Sequence, residues 1–322
     1  MEKLKFGFYW AASCGGCEIA VLDVDEKILD VLQIADVVFW PVAMDVKYRD
    51  VEAMPDGYMD VCFFNGAIRN SEQEHLAKLM RSKAKTLVAF GACAQLGGVP
   101  GLANEASKSQ IFDRTYRSSP STVNEGATVP KTESKVKEGE LELPAFYDFV
   151  KPLDKVVDVD YYLPGCPPPP KLIFDAVAAI AGGDLPPKGS ILAPERSVCD
   201  ECKRVKEEKK ISEIKRVIDF QAEPEKCLLE QGIVCMGPAT RGGCEARCVN
   251  ANMPCTGCGG PCPGVAEQGS AMISALSTVL GIESEKGEGY DPAEFVDQLK
   301  DPLGTFYKYS LPASIIGRRV KR

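Results

Sequence analysis

Cysteine is the residue type in this sequence with the greatest capacity for chemistry. There are 14 cysteines among 322 residues, and the only histidine is His75. Cysteines in Cys-x-x-Cys pairs, in a chain without signs of secretion, are more often metal ligands or redox thiols than disulfide partners. A single histidine argues against mixed Cys/His zinc sites and against histidine acid–base catalysis. The sequence therefore predicts metal bound by thiolates alone, as zinc or as iron–sulfur clusters.

Four cysteines follow apolar, strand-like runs in the first 170 residues. Cys14 and Cys17 come after the first run. Cys93 lies in a Gly-Ala-Cys-Ala sequence and Cys166 in Pro-Gly-Cys-Pro-Pro, each after a later run. Because the carboxyl ends of parallel strands form the ligand crevice of an open sheet, we expect these four thiols to converge on one cubane cluster. The alternative is a thioredoxin-like dithiol at Cys14 and Cys17, which leaves the other two cysteines unexplained.

Nine more cysteines lie between residues 197 and 264, a stretch with many glycines and prolines. They are Cys199, Cys202, Cys227, Cys235, Cys244, Cys248, Cys255, Cys258 and Cys262. Two four-thiolate sites use eight of them and leave one spare. Zinc ribbons would also fit two Cys-x-x-Cys pairs, but the irregular gaps and the nearby N-terminal set favour clusters. Such a segment buries little apolar surface, so we expect it to fold around its metal.

The remaining cysteine, Cys62, lies inside an apolar strand pattern and is predicted to be a buried structural thiol. Short apolar strands alternate with helices on both sides of it. We predict strands at residues 4–10, 35–42, 60–64, 86–90 and 156–163, and helices at residues 18–33, 71–83 and 171–181. The helix at 71–83 opens on Ser71 as its N-cap, with Glu74 three residues later. This alternation indicates an α/β fold with a doubly wound parallel sheet.

Two stretches depart from this alternation. Residues 104–145 are rich in Ser, Thr, Lys and Glu, which predicts an exposed insertion or an arm that orders against a partner. After residue 188 the cysteine-rich part begins, with a charged helical segment at residues 203–216. Further helices are predicted near residues 267–280 and 292–299. We therefore expect two domains, 1–187 and 188–322.

The overall charge and hydropathy limit the kinds of partner. A net charge of −8 and a sequence pI near 5.0 give no electrostatic support for nucleic-acid binding. No run of about 18 apolar residues is present, so no membrane span is expected. The N-terminus lacks the pattern of a signal peptide and carries no twin-arginine leader, which predicts a cytoplasmic protein.

The motifs, taken in order, resemble the small subunit of [NiFe]-hydrogenases. The resemblance starts with Cys-x-x-Cys-Glu, Gly-Ala-Cys-Ala and Pro-Gly-Cys-Pro-Pro. It continues through Cys227, Cys-Met-Gly-Pro-Ala-Thr from Cys235, Cys244, and Cys-Thr-Gly-Cys from Cys255. The chain is similar in particular to small subunits of archaeal viologen-reducing, non-deazaflavin-reducing hydrogenases, which partner heterodisulfide reductase. The resemblance implies a flavodoxin-like domain followed by a smaller, irregular cluster-binding domain.

The resemblance also implies three [4Fe-4S] clusters and their ligands. The proximal cluster falls on Cys14, Cys17, Cys93 and Cys166. The distal cluster falls on Cys199, Cys202, Cys227 and Cys235. The medial cluster falls on Cys244, Cys248, Cys255 and Cys258. Many periplasmic relatives have proline at the position of Cys248 and a three-iron medial cluster, so a complete cubane is expected here; Cys262 is the competing fourth ligand.

Three further positions bear on the properties of the expected clusters. Cys199 replaces a histidine of periplasmic relatives, and an all-thiolate distal site should have a lower reduction potential. Gly16 stands where oxygen-tolerant relatives have an extra cysteine, so oxygen sensitivity is expected. Glu18 follows Cys17 and is expected to be a helix N-terminal carboxylate, or a group near a proton exit.

The resemblance implies that this chain carries electrons but lacks the nickel–iron site. It would relay them from a [NiFe]-hydrogenase large subunit, across an interface above about 2,000 Å². A [2Fe-2S]-type linker subunit and heterodisulfide reductase subunits would lie downstream. The alternatives are the small subunit of a deazaflavin-reducing or sulfur-reducing hydrogenase, and a non-enzymatic zinc-binding scaffold. A single-cluster, quinone-reductase-like subunit is disfavoured by the nine C-terminal cysteines.

Overall fold

The computed structural model describes residues 2–281 and 292–317. Its strands are β1 (Leu4–Trp10), β2 (Ala35–Phe39), β3 (Met59–Asn65), β4 (Ile68–Asn70), β5 (Ala84–Phe90), β6 (Glu133–Val136), β7 (Gly139–Glu142), β8 (Phe146–Lys151) and β9 (Tyr161–Leu163). Its helices are α1 (Gly16–Leu22), α2 (Ile28–Ile34), α3 (Tyr48–Glu52), α4 (Ser71–Lys83), α5 (Ala92–Leu96), α6 (Lys108–Tyr116), α7 (Pro170–Gly182), α8 (Arg247–Asn250), α9 (Gln268–Ser277), α10 (Pro292–Gln298) and α11 (Pro302–Phe306).

Five parallel strands form the main sheet, in the spatial order β2-β1-β3-β5-β9. Renumbered by their sequence order within the sheet, these strands read 2-1-3-4-5, the order of flavodoxin-like folds. The predicted fold class is therefore confirmed. In such a sheet the strand order reverses beside β1, so the loops after β1 and β3 leave toward opposite sides and open a crevice.

Apolar side chains cover both faces of this sheet. On one face Phe6, Phe8 and Phe63 pack with residues of α1 and α7. On the other face Phe64 and Leu87 pack with residues of α3, α4 and α5. Burial on both faces explains why these strands read as nearly continuous apolar runs rather than as alternating ones.

Helix α4 has the predicted bounds, but its predicted N-cap is wrong. The cap is Asn70, whose side chain accepts a hydrogen bond of 2.8 Å from the backbone N–H of Gln73. Ser71 instead bonds to the insertion, because its Oγ accepts from the N–H of Ala145 at 2.9 Å. The predicted helix at residues 18–33 is divided into α1 and α2 by a turn in which Asp25 has a φ of 56°.

The insertion at residues 104–145 is largely exposed, as predicted. It carries α6 and an antiparallel hairpin of β6 and β7. It is anchored at its end, where β8 pairs antiparallel with β4 beside the main sheet. The segment thus leaves the sheet and returns to it, which fixes both of its ends.

The cysteine-rich part has few regular elements between residues 197 and 281, where α8 and α9 are the described α-helices. The charged helix predicted at residues 203–216 is wrong. Its backbone N–H groups bond elsewhere: that of Val205 to Glu225 O at 2.8 Å, and that of Ile211 to Val279 O at 2.9 Å. The segment lacks a continuous apolar stripe that could hold a helix against the core, so these isolated bridges determine its path.

The predicted helices near residues 267–280 and 292–299 are present as α9 and α10. The domain division at residue 188 stays a prediction, and residues 190–193 still lie on the first part, where Leu192 N–H donates to Tyr162 O at 2.7 Å. The segment around Tyr309 also contacts the first part, since Gly98 N–H donates to Tyr309 O at 3.0 Å. Among the described residues, no helix has the length and apolarity needed to cross a bilayer.

Candidate iron–sulfur sites

The loops after β1, β5 and β9 bring the four N-terminal cysteines together. Cys17 lies in the first turn of α1, Cys93 lies on α5, and Cys166 precedes α7. Burial raises the pKa of the Cys17 thiol well above its usual range, and repulsion from Cys93, Cys166 and Cys14 raises it further. Burial likewise raises the pKa of Cys93 to about 12, with Cys166 and Cys14 adding to the effect. Because Cys14, Cys93 and Cys166 all raise the pKa of Cys17, the four thiols lie close together and form one set.

Two glycines leave room for this set. A Cβ atom on Gly91 would lie 2.4 Å from Cys17 Sγ, and one on Gly98 would lie 2.4 Å from Cys93 Sγ. Gly91 also has a φ of 85°, which side chains with a Cβ rarely adopt. Ala92 N–H donates to the carbonyl of Gly165 at 2.7 Å, fastening the loop after β5 to the loop after β9. The backbone therefore approaches the thiols closely, as a four-thiolate cluster site requires.

A second set surrounds a cavity of about 220 Å³ in the cysteine-rich part. This cavity is lined by all four cysteines of the expected distal site, Cys199, Cys202, Cys227 and Cys235. Other residues, such as Leu229 and Val279, also line this cavity, and it has room for more than a single ion. Burial raises the pKa of Cys199 to about 12, and Cys235, Cys227 and Cys202 also raise it, while Lys206 opposes them.

A third set lines a larger cavity of about 630 Å³ between the two parts of the chain. Its cysteines are Cys244, Cys248, Cys255 and Cys258, together with Cys166 of the first set. Burial raises the pKa of Cys258 to about 12; a hydrogen bond from the backbone N–H of Cys166 lowers it, and repulsion from Cys244, Cys166 and Cys248 raises it. Burial also raises the pKa of Cys244, while the backbone N–H groups of Ala246 and Arg247 lower it.

The two spare cysteines lie away from these sets. Cys62 lies on β3 and is fully buried in the apolar core, as predicted, and burial raises its pKa to about 12. Cys262 is buried against another loop, where its Sγ donates to the carbonyl of Pro238 at 3.3 Å. The charged groups that affect Cys262 are Arg241 and Asp200 rather than other thiols. The structure thus brings Cys248, and not Cys262, to the third cavity.

Close contacts join the three sets in series. Cys166, in the first set, lines the third cavity together with Cys258, and its backbone N–H lowers the pKa of that thiol. The backbone N–H of Cys255, in the third set, donates to Cys235 Sγ in the second at 3.3 Å. The set of Cys244, Cys248, Cys255 and Cys258 therefore lies between the other two, which is the meaning of a medial position.

The three cysteine sets can be compared with what a metal ion or an iron–sulfur cluster needs from its ligands. Every set is all-thiolate, has backbone N–H groups directed at sulfur, and is lined by glycine or by a cavity. Among the described residues, no group of three His, Cys, Asp or Glu side chains is arranged to hold a single metal ion. The arrangement around open space, with N–H donors to sulfur, fits cubane iron–sulfur clusters.

Glu18 lies deeper than the sequence indicates. It is in the first turn of α1, as expected, but only 2% exposed. The indole N–H of Trp40 donates to one of its carboxylate oxygens, and the other oxygen has no partner. Burial raises the pKa of this carboxyl, while the hydrogen bond from Trp40 lowers it. Sequence reasoning missed Trp40, which is 22 residues away on the loop after β2 and has no motif to mark it.

Polar residues that support the cysteine loops were also missed. The side-chain amide of Gln268 donates to the carbonyls of Gly257 and Gly260, at 2.9 and 3.1 Å, and to Thr240 Oγ1 at 3.2 Å. A hydrogen bond from the Thr240 side chain lowers the pKa of Cys255, which burial raises. Thr240 ends the Cys-Met-Gly-Pro-Ala-Thr motif, so the sequence did contain a signal for it. Gln268 lies outside every motif.

This fold and these cysteine sets define a class of protein. The family model described as "NADH ubiquinone oxidoreductase, 20 Kd subunit" matches residues 14–180, more than half of the chain. The fold also resembles a chain of the Ni-Fe-Se hydrogenase from Desulfomicrobium baculatum, with a TM-score of 0.50 and 19% identity, covering 81% of this chain and 95% of that one. At that identity the likeness concerns the fold alone.

Closer relatives narrow the class. The iron-sulfur subunit of the F420-non-reducing hydrogenase of Archaeoglobus profundus is 43% identical over 98% of this chain and 99% of its own length. A subunit of the F420-non-reducing hydrogenase of Methanothermobacter thermautotrophicus is 38% identical over 100% of this chain and 98% of its own. The chain belongs to the family of F420-non-reducing hydrogenase small subunits, and is thus part of an oxidoreductase. The resemblance inferred from the motifs is confirmed.

Proposed function

We propose that this small subunit conducts electrons through three [4Fe-4S] clusters arranged in series. The proximal cluster is held by Cys14, Cys17, Cys93 and Cys166; the medial one by Cys244, Cys248, Cys255 and Cys258; and the distal one by Cys199, Cys202, Cys227 and Cys235. When bound, each cluster supplies reversible one-electron chemistry. The chain itself supplies order, spacing and exclusion of water.

The two contacts between sets are the observation that carries this proposal. Cys166 lines the same cavity as Cys258, and Cys255 N–H donates to Cys235 Sγ at 3.3 Å. Each contact joins a proposed ligand of one cluster to a proposed ligand of the next. Donors directed at a thiolate stabilise its negative charge, so they also tune the cluster that the thiolate holds. The sets therefore follow one order, proximal, medial and distal, and the proximal set lies in the first part of the chain.

The choice of Cys248 as fourth medial ligand is supported by its surroundings. Cys248 lines the same cavity as Cys244, Cys255 and Cys258 and affects the pKa of Cys258. It lies on α8, directly after the turn in which Glu245 and Ala246 have φ values of 55° and 51°. That turn directs N–H groups at Cys244, as a small anion-binding concavity does. Cys262 has none of these relationships.

The large subunit of the hydrogenase is proposed to dock beside the proximal set. Cys14 is exposed there, and Ile19 and Leu22 on α1 and Leu29 on α2 present exposed apolar surface near it. Apolar surface of this kind is typical of the core of an obligate interface. Electrons would enter at this end from a nickel–iron site that the partner holds.

The distal set is proposed as the exit toward a [2Fe-2S]-type linker subunit and heterodisulfide reductase. An all-thiolate ligand set favours a low reduction potential, which suits low-potential acceptors. The proposed compartment is the cytoplasm. All 14 cysteines lie within the described residues and all are free thiols, which is the usual state in a reducing compartment.

Metal analysis and EPR on the purified hydrogenase complex test the proposal. About twelve irons per small subunit, beyond those of the nickel–iron site and of any linker subunit, are expected, with signals of three interacting cubane clusters after reduction by hydrogen. Zinc in place of iron would instead mean a structural scaffold, and about four irons would mean a single-cluster subunit.

A further inference from the structure

The loop that runs past the distal set is strongly basic, although the whole chain has a net charge of −8. Between residues 203 and 216 there are seven Lys or Arg residues and three Glu residues. Two of the basic residues, Arg204 and Lys206, line the distal cavity. Lys206 is close enough to lower the pKa of Cys199, which burial raises. The positive charge is therefore placed at the distal set itself.

Backbone contacts hold this basic loop in place. Val205 forms a parallel bridge with Lys226, in which Cys227 N–H donates to Val205 O at 2.8 Å. The carboxylate of Glu230 accepts from the N–H groups of Glu207 and Glu208, at 2.7 and 3.0 Å. Because the loop is fastened at several points, its charges have defined positions rather than those of a mobile tail.

Arg204 fixes the inner side of the loop. Its guanidinium donates to the carbonyls of Glu223 and Lys226, at 2.8 and 2.9 Å, beside the distal cysteines. It also donates to Val249 O at 3.1 Å and to Asn252 Oδ1 at 2.6 Å, in the medial segment. Arg204 is thus committed to the fold, and the outward charge comes from the lysines.

The outer face of the loop combines available positive charge with apolar surface. Lys203, Lys206 and Lys209 are exposed, and none of them forms an ion pair within residues 2–281 and 292–317. Val205, between the first two, is 58% exposed. The neighbouring acidic groups are partly engaged: Glu230 holds the two backbone N–H groups, and Glu213 pairs with Lys215 at 3.0 Å.

We propose that this basic loop docks an acidic electron-acceptor protein at the distal set. The proposal deepens the function proposed above and rests on it, since it needs the distal set to be the exit. Opposite charges accelerate encounter, and a small apolar centre such as Val205 completes a transient redox contact. Lysines that surround an exit select for negative charge on the partner and against positive charge. The lysines would also attract a nucleic acid, but the net charge of −8 on the whole chain repels its phosphate backbone.

The test uses the hydrogenase of large and small subunits, without the proposed linker subunit at the exit, and hydrogen as electron donor. In one variant Lys203 and Lys209 are both replaced by Glu; a milder variant carries Gln at the same positions. Lys206 is kept, because it lines the distal cavity. The matched control replaces two exposed lysines of the insertion by Glu, which changes the net charge equally: Lys131 and Lys137. The probes are a strongly acidic plant-type [2Fe-2S] ferredoxin and the dication methyl viologen.

At low salt the Glu variant should reduce the acidic ferredoxin at least about tenfold more slowly than wild type, and the Gln variant by a smaller factor. The difference should vanish near 0.5 M salt, where the Debye length is only about 4 Å. Reduction of methyl viologen should be unchanged or faster, and the insertion control should behave as wild type with both probes.

Equal ferredoxin rates for the loop variant and the control, or a salt-independent wild-type rate, would overturn the docking surface. The docking surface would also be overturned if the loop variant bound DNA more weakly than wild type but reduced the ferredoxin at the wild-type rate. In each of those cases, normal iron content and viologen activity would leave the relay standing. A wild-type complex with iron for fewer than three clusters would overturn the relay and the docking surface together.

Discussion

The two parts of this chain place cysteines by different physical means. In the sheet part, two apolar clusters rich in phenylalanine hold the strands, and the cysteines of the proximal set lie only where strands end. In the cysteine-rich part, the apolar cluster itself includes Cys235 and Cys255, and described regular elements are short. The core of the first part contains one proposed ligand, Cys17, and consists otherwise of residues that hold no cluster in the proposed scheme. The core of the second part contains Cys235 and Cys255, and three further proposed ligands pack against it.

If the proposed clusters are bound, this difference means that one chain combines a preformed scaffold with a metal-dependent one. In the sheet part, cluster loss should leave a folded domain with an open edge. In the cysteine-rich part, ligand binding and folding should be one process, because the loops between the cysteines bury little else. The following predictions test that contrast, starting with the largest expected effect.

Removal of iron should separate the two parts most clearly. In chain produced without iron, amide exchange in residues 197–262 should be at least about tenfold faster, while β1, β3 and β5 remain protected. Hydrogen-exchange mass spectrometry measures both regions in one sample. Trp10 and Trp40, the two tryptophans, both lie in the sheet part, so fluorescence should stay native-like. Equal protection of both parts would remove the contrast.

A substitution at Gly91 should damage the proximal site without unfolding the sheet. In Gly91→Ala the new Cβ would lie 2.4 Å from Cys17 Sγ, so loss of about four irons per chain is expected. Gly183→Ala is the control, because Gly183 also has a positive φ, 73°, but no atom lies within 4 Å of its Cβ position. The control should cost about 1 kcal/mol of stability and no iron. Iron analysis and fluorescence-monitored unfolding separate the two effects.

The medial site should lose one iron when its fourth ligand is removed. Cys248→Ala should convert the medial cubane into a three-iron form, lowering iron by about one per chain and giving its EPR signal. Cys262→Ala is the matched control in the same segment and should leave all three cubanes intact. The reverse result, with the three-iron signal only in Cys262→Ala, would show that the ligand assignment is wrong.

The smallest effect concerns a charge inside the sheet part. Burial would raise the pKa of Asp160, but hydrogen bonds from Lys188, Arg81 and the N–H of Leu87 leave it lowered. Arg81 and Lys188 bond its carboxylate at 2.5 and 2.6 Å. A lowered pKa stabilises the fold above the unfolded value, near 3.9, and this contribution is lost as pH falls through the folded value.

Asp160→Asn should therefore lose about 1–3 kcal/mol of stability at pH 7. It should also flatten the loss of stability on acidification below about pH 4. Tryptophan fluorescence during urea unfolding measures this in the sheet part. Asp36→Asn is the control, since its ion pair with Lys3 is exposed. An equal effect of the two substitutions would contradict the prediction.

Sequence reasoning succeeded where local pattern and tertiary structure agree. The bounds of β1 and α4 were predicted because a continuous apolar run and a helical period leave few alternatives. The cysteines of the first set were grouped correctly in space because strand ends converge in any doubly wound sheet.

Sequence reasoning failed where contacts between residues far apart in the sequence determine the structure. The segment at residues 203–216 has the composition of a helix, but its N–H groups bond to distant positions such as residues 225, 232 and 279. The bonds of Glu18 with Trp40 and of Gln268 with Gly257 likewise join positions that no spacing rule connects. The contacts between cysteine sets are of the same kind, since they also join residues that are far apart in the sequence.

In the proposed relay, those contacts would tie the maturation of one site to that of its neighbour. The N–H that Cys255 offers to Cys235 is in position only when the loop of Cys255 is set, and the loop of Cys166 likewise lines the cavity of Cys258. Assembly would then start at the preformed strand ends and proceed outward, each filled site ordering the backbone for the next. A chain interrupted during biogenesis would accumulate with its proximal site loaded and its distal end empty, rather than with random occupancy.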